Sequence, residues 1–188
     1  METRATGVEG CVELPLQPVA DRRGSFLKVL HGDTLRSLGL DLAVEEIFFS
    51  RSATGVVRGL HFQRPPADVA KLVWCLDGEV VDAVVDLRPG SPTFRRHAVV
   101  RLSPEAANAV YVPQGCAHGF LVTRGEALVG YAQSGLHDPV LEGGVLWSSA
   151  GVDWGVDATV LDSVILSDRD AAFPTLDELD VSSFAVQL

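Results

Sequence analysis

"VPQGCAHGF", residues 112–120, is the stretch that decides how this chain folds. An apolar run stops at Pro113, the chain turns around Gly115, and a second run carries His118. Glycine and proline punctuate structure in this way between strands. The same rhythm spreads outward on both sides. "NAVYVPQG", "CAHGFLVTR" and "EALVGYAQS" lie around and after the turn. "GCVELPL", "GSFLKVLH", "VEEIFFSRS", "GVVRGLHFQ", "AKLVWCLDG", "EVVDAVVDLR" and "HAVVRLS" lie before it. Short runs rich in Val, Leu and Phe, several at roughly ten-residue spacing, predict an all-β sandwich or barrel. Asp77-Gly78 between two apolar runs predicts a tight hairpin. "DTLRSLGL" predicts one short helix, with Asp33 or Thr34 as its N-cap and Gly39 near its end. The stretch from 152 to 179 is less regular and is expected to wrap the barrel, with Pro174 opening a short terminal helix.

No repeat, low-complexity block or linker interrupts the 188 residues, so a single domain over 1–188 is expected. With 47% hydrophobic and 21% charged residues, the composition is that of a soluble globular chain. A formal net charge of -10 argues against a nucleic acid polymer or an anionic membrane surface as partner. No apolar run is long enough to span a bilayer, and the first residues do not read as a secretory signal. Cys11, Cys75 and Cys116 form no CxxC pair, and Cys75 in "KLVWCL" reads as a small core residue. A reducing cytoplasm fits this usage.

Period-2 alternation gives each strand two faces. In "VVRGLHFQ", residues 56–63, His61 falls with Val57, Gly59 and Gln63, and Arg58 with Leu60 and Phe62 on the other face. Asp82 and Asp86 share a face with Val80 and Val84. An aspartate aimed into a barrel is costly unless paired. Tyr131 shares a face with Ala127, Val129 and Gln133. His31 and His97 sit in ordinary contexts, but His61 and His118 each stand near a glycine in separate strands, which leaves room for something to approach closely. With Lys71 and Tyr131 these residue types compose a proton-transfer set. A neutral imidazole removes a proton, a carboxylate behind it fixes its tautomer, a lysine stabilises an enolate, and a tyrosine returns the proton from the opposite side.

Pro113-x-Gly115-x-x-His118 resembles the second half of the cupin signature, but the place of the first half, "GLHFQ", has one histidine where metal cupins carry two and a glutamate. Two histidines are a thin ligand set for a transition metal. In their order along residues 7–178, "DRRGSF", "GVVRGLHFQRPP", "AKLVW", "GEVVDAVVDLRPGSPTF", "VYVPQGCAHGF", "GYAQSGLHDPVLEGGVLW" and "LSDRDAAFP" resemble the dTDP-4-dehydrorhamnose 3,5-epimerases, a metal-free branch of the cupins. The resemblance implies an all-β, cupin-type double-stranded β-helix, or jelly roll, with a few short helices. It implies an isomerase that inverts C3, C5 or both of a dTDP-linked 4-keto-6-deoxyhexose, without metal or cofactor, in the cytoplasm and as a homodimer. His61 would be the base, Asp170 its partner, Tyr131 the proton donor and Lys71 the stabiliser of the enolate. Arg23 and Arg58 would hold the pyrophosphate, and His118 and Glu142 would contact substrate. Gln63 and Arg169 would join the substrate-binding set. Asp82 matches a family aspartate near the histidine.

This chain departs from the family at its substrate contacts. Lys28 replaces an acidic residue, Glu46-Ile47-Phe48 replaces Gln-x-Asn, His137 stands at a common tyrosine and Arg169 at a usual lysine. Arg95 also replaces a glycine. The proton-transfer set is unchanged, so altered substrate with the same chemistry is expected, as in antibiotic-sugar pathways. Three other readings stay open: a metal-dependent cupin enzyme, a nucleotide-sugar ketoisomerase on the same barrel, and a silent nucleotide-sugar binder.

Overall fold

The computed structural model describes residues 3–40 and 42–184; the remaining positions of the expected 1–188 domain lie outside the described residues. Its strands are β1 (Arg4–Ala5), β2 (Val12–Pro15), β3 (Val19–Asp21), β4 (Gly24–Phe26), β5 (Glu46–Ser52), β6 (Val57–Gln63), β7 (Lys71–Asp86), β8 (His97–Leu102), β9 (Asn108–Val112), β10 (Cys116–Gln133) and β11 (Glu142–Gly144). The helices are α1 (Gly32–Ser37), α2 (Ala158–Leu161) and α3 (Asp168–Ala171).

Two long strands organise the molecule. β7 and β10 pair antiparallel along their whole length. The first half of β7 also pairs with β9, and its second half with β8. The second half of β10 also pairs with β5, and its first half with β6, which is followed by β11. Both strands therefore pass from one sheet into the other, and the two sheets face each other as a jelly roll. Side-chain alternation records the crossing. In β7 the inward residues are Val73 and Cys75 before Gly78 but Val80 and Val84 after it. In β10 they are Phe120 and Val122 before Gly125 and Ala127 and Val129 after it. Gly78 and Gly125 hold φ of 72° and 69°, a left-handed backbone open to glycine at little cost.

Three apolar layers result. The inter-sheet layer holds Val73, Val84, Val110 and Phe120. Outside one sheet, Leu72, Trp74 and Tyr111 pack under Leu14, Leu35 and Leu40. Outside the other, Val81, Val85 and Leu121 lie under Trp147, Trp154, Leu176 and Phe184. The stretch from 152 onward does wrap the barrel, and Cys75 is buried in the core.

Several expectations need correction. Asp77-Gly78 is not a hairpin: the chain continues as one strand, because the residues on both sides find their partners in β10 rather than in each other. "CAHGFLVTR" and "EALVGYAQS" are likewise one strand. Of "GSFLKVLH" only Gly24–Phe26 is strand, paired with β3 in a small separate ribbon. The N-cap of α1 is His31, not Asp33 or Thr34, which lie inside the helix. Pro174 precedes a turn at 176–178 rather than a helix.

Candidate active site

β6 carries a bulge that the alternation pattern hides. His61 pairs with His118 and Arg58 with Phe120, so Gly59 and Leu60 together oppose Gly119 alone. A Cβ on Gly59 would stand 2.7 Å from Gly119 Cα, so the two backbones meet with no room for side chains. The extra residue reverses the alternation. Arg58, expected on the face opposite His61, lines the same cavity, while Val57 and Leu60 turn into the outer core.

That cavity, of about 370 Å³, opens between the sheets. β6 supplies Arg58, His61 and Gln63, β10 supplies His118, Tyr131 and Gln133, and Lys71 begins β7. β5 adds Glu46, Phe48 and Ser50, and His137 and Glu142 complete the wall. The volume suits a small ligand rather than a polymer. His61 and Tyr131 reach it from different sheets, which sets a basic and an acidic group on separate walls.

Behind His61 stands Asp170, with Oδ1 3.0 Å from Nε2. Asp170 Oδ2 accepts the N–H of Gly59 at 2.9 Å, and Ser167 Oγ caps the turn by accepting the N–H of Asp170 at 3.1 Å. Burial works to raise the Asp170 carboxyl, but the hydrogen bonds from His61 and Gly59 outweigh it and hold the group well below the usual carboxylate range. An ionised Asp170 fixes Nε2 as the protonated ring nitrogen and leaves Nδ1 to accept a proton.

His118 repeats the arrangement deeper in the barrel. Its Nε2 lies 2.7 Å from Asp82 Oδ2, with both side chains buried. The costly inward aspartate is thus paired, although its Oδ1 has no hydrogen-bond partner among the described residues. Burial raises the Asp82 carboxyl, against the pull of His118 and Lys71. Burial also lowers the Lys71 ammonium, against the charges of Glu142 and Asp82. Asp86, the other inward aspartate, is held by Arg88, Ser91 and Thr93.

Tyr131 is set by its ring. Phe48 stacks on it with centroids 4.6 Å apart and planes 13° from parallel, and Ser50 Oγ lies 3.5 Å from its hydroxyl. Burial raises the phenol well above its ordinary value, which keeps it a proton donor.

Some expected contacts are already engaged. Gln63 donates to the carbonyls of Ala67 and Leu136 and accepts the N–H of Asp138, so its amide holds the 136–138 loop. Glu46 accepts from Gln133 and from the N–H of His137. Arg23 and Lys28 do not line this chain's cavity: Arg23 pairs with Asp21 on the exposed β3–β4 ribbon, and Lys28 borders a separate groove with Leu14 and Thr34. Ser50 was missed, although alternation from Glu46 and Phe48 along β5 reaches it. His61 and His118, the two histidines a metal cupin would use, each face their own carboxylate, and no group of three or more potential ligands clusters among the described residues.

A jelly roll with a carboxylate-backed histidine, a facing tyrosine and a lysine around one small cavity defines a cupin-type carbon-acid isomerase. Residues 5–178 match the dTDP-4-dehydrorhamnose 3,5-epimerase family, and the chain belongs to it, among the isomerases that epimerise nucleotide-linked deoxysugars. It is 39% identical over 180 residues to a dTDP-4-dehydrorhamnose 3-epimerase of Streptomyces niveus, covering 91% of this chain and 87% of that one. It is 37% identical over 185 residues to the dTDP-4-dehydrorhamnose 3,5-epimerase of Mycobacterium tuberculosis, covering 97% and 91%. The crystal structure of the Legionella pneumophila epimerase, in complex with dTDP-4-keto-L-rhamnose, superposes with a TM-score of 0.89 at 32% identity, covering 97% of this chain and 96% of that one.

Proposed function

We propose that this protein inverts C3, C5 or both of a dTDP-linked 4-keto-6-deoxyhexose, with His61 as base and Tyr131 as acid. The observation that carries the reading is the placement of the His61–Asp170 pair and Tyr131 on different sheets around one cavity that also holds Lys71. The 4-keto group acidifies the C–H bonds on both sides of it. His61 takes the proton from one carbon, and the electron pair moves into an enolate whose oxygen the Lys71 ammonium stabilises. Tyr131 then gives its proton to the opposite face of that carbon as the carbonyl re-forms. His61 ends protonated and Tyr131 ionised, and solvent resets both. Arg58, His118 and Glu142 serve as substrate contacts, while Gln63 and Glu46 act through the wall they brace.

The departures Glu46, Phe48 and His137 on the cavity wall, with Lys28 and Arg169 outside it, support a tailored deoxysugar as the substrate. The working unit is a homodimer in the cytoplasm. Val19 and Phe26 on the β3–β4 ribbon and Ile47 and Phe49 on β5 are exposed apolar residues of the kind an interface covers. In such a dimer Arg23 and Lys28 act on the partner's cavity, since they stand outside their own.

The test is incubation with dTDP-4-keto-6-deoxy-D-glucose in deuterium oxide, following C3–H and C5–H by NMR, with His61→Ala as control. Exchange that the control lacks is expected, and its distribution over the two carbons defines the regiochemistry. Equal exchange in the control would remove His61 from the role of base.

A further inference from the structure

Arg169 borders a shallow pocket beside His61 with its side chain half-exposed, and each of its three guanidinium nitrogens stands close to a polar neighbour. Nη1 donates to Glu142 Oε2 at 2.6 Å. Nη2 lies 3.1 Å from His61 Nε2, and Nε 3.4 Å from Asp170 Oδ1. Its Cζ stands 5.8 Å from the centroid of Phe173, whose ring in turn packs edge-on against His61 at 5.6 Å. Every one of these contacts touches the base, the base's carboxylate, a ring that packs on the base, or Glu142.

Glu142 is itself anchored. It opens β11, paired with Gln63 of β6, and its Oε2 also lies 3.3 Å from His137 Nε2. Asp170, by contrast, rides on α3, a helix of only four residues. A single turn has little stability of its own. Its polar attachment to the barrel is the Asp170 carboxylate, on Gly59 N–H and on His61. Arg169 adds a second tether from the same turn, over the imidazole, to β11.

We propose that Arg169 is a positioning residue for the catalytic base: by bridging α3 to Glu142 it keeps the Asp170 carboxylate and the His61 ring in register. The inference rests on His61 being the base. The forked guanidinium is essential to it. A lysine presents one nitrogen, where the guanidinium sets one nitrogen on Glu142 and two others beside the His61–Asp170 pair. Arg169→Lys therefore keeps the charge and breaks the bridge.

The experiment has two arms. Steady-state turnover of dTDP-4-keto-6-deoxy-D-glucose compares the wild type with Arg169→Met, Arg169→Lys, Glu142→Gln and the Arg169→Met/Glu142→Gln double variant. The expected result is a kcat loss of about tenfold or more in Arg169→Met with KM little changed. Lysine should recover only a minor part of it, and the double variant should be no worse than the worse single, because both cut one bridge. A rise in KM at constant kcat, restored by lysine, would overturn the proposal and make Arg169 a plain anion contact. The second arm needs no substrate. The imidazole ¹⁵N resonances of His61 are recorded in the same proteins, with Arg101→Met, remote from the cavity, as control. They should move in Arg169→Met and Arg169→Lys and stay put in Arg101→Met; unchanged resonances in the Arg169 variants would overturn the proposal. Should the wild type turn over no such sugar, that sugar is excluded as the substrate in the first arm, while the second still decides whether Arg169 sets the His61 ring.

Discussion

Asp170 and Tyr131 show how a side chain's surroundings assign its task. Asp170 is held ionised by the bonds it accepts from His61 and Gly59. Asp170→Asn keeps the shape but loses the charge behind the ring, so kcat is expected to fall by about two to four orders of magnitude with the fold intact. The same carboxylate ties stability to pH. Its folded pKa is depressed, so its contribution is complete above its unfolded value of about 3.9 and disappears as pH falls through the lower folded value. Thermal melts of wild type and Asp170→Asn should accordingly differ most near neutrality and converge in acid. Tyr131→Phe separates the two half-steps: deuterium exchange at the substrate carbon should persist while the inverted product falls, as NMR of carbon-bound deuterium and product configuration would show. At this scale the sequence was informative wherever alternation held. It put Asp82, Asp86 and Tyr131 on faces that prove to be inward. It misplaced Arg58, because a bulge leaves no mark in the pattern of apolar residues.

Strands and turns in this chain are governed by close approach between backbones. Gly59 has φ of 117°, and a Cβ there would meet Gly119 Cα and His118 O at under 3 Å. Gly59→Ala is expected to cost about 2 kcal/mol or more, from backbone strain and steric conflict together, and a urea melt would show it. The misreading at Asp77-Gly78 has the same origin. A glycine with positive φ serves a bend inside a strand as readily as a two-residue turn, and only its partners distinguish them. One clue was available: inward residues in β7 are odd-numbered before Gly78 and even-numbered after it. The ends of helices were harder to read. His31 offers no side-chain cap hydrogen bond, and α1 is held instead by burial of Leu35 against the outer layer.

At the scale of the molecule, the all-β class was legible from spacing and the jelly roll from the ordered segments, while the joining of the sheets was not, because it lies in pairings between residues far apart in the chain. Assembly is the matching question on the outside. Ile47→Lys with Phe49→Asp on β5 should turn a dimer into a monomer in sedimentation velocity, since charges there have no partner once buried. A single sedimenting species of monomer size in the wild type would refute the dimer. The two strands shared by both sheets carry a further consequence. A sandwich whose sheets are joined only by loops can part along its seam, but here β7 and β10 run through the seam itself. The molecule has no half to shed. Amide protons along 80–85 and 117–121 should exchange with deuterated solvent last and together, at a rate set by unfolding of the entire domain. Motions that admit a ligand must then be borne by the rim: by β11, by α3 and by the 136–141 loop.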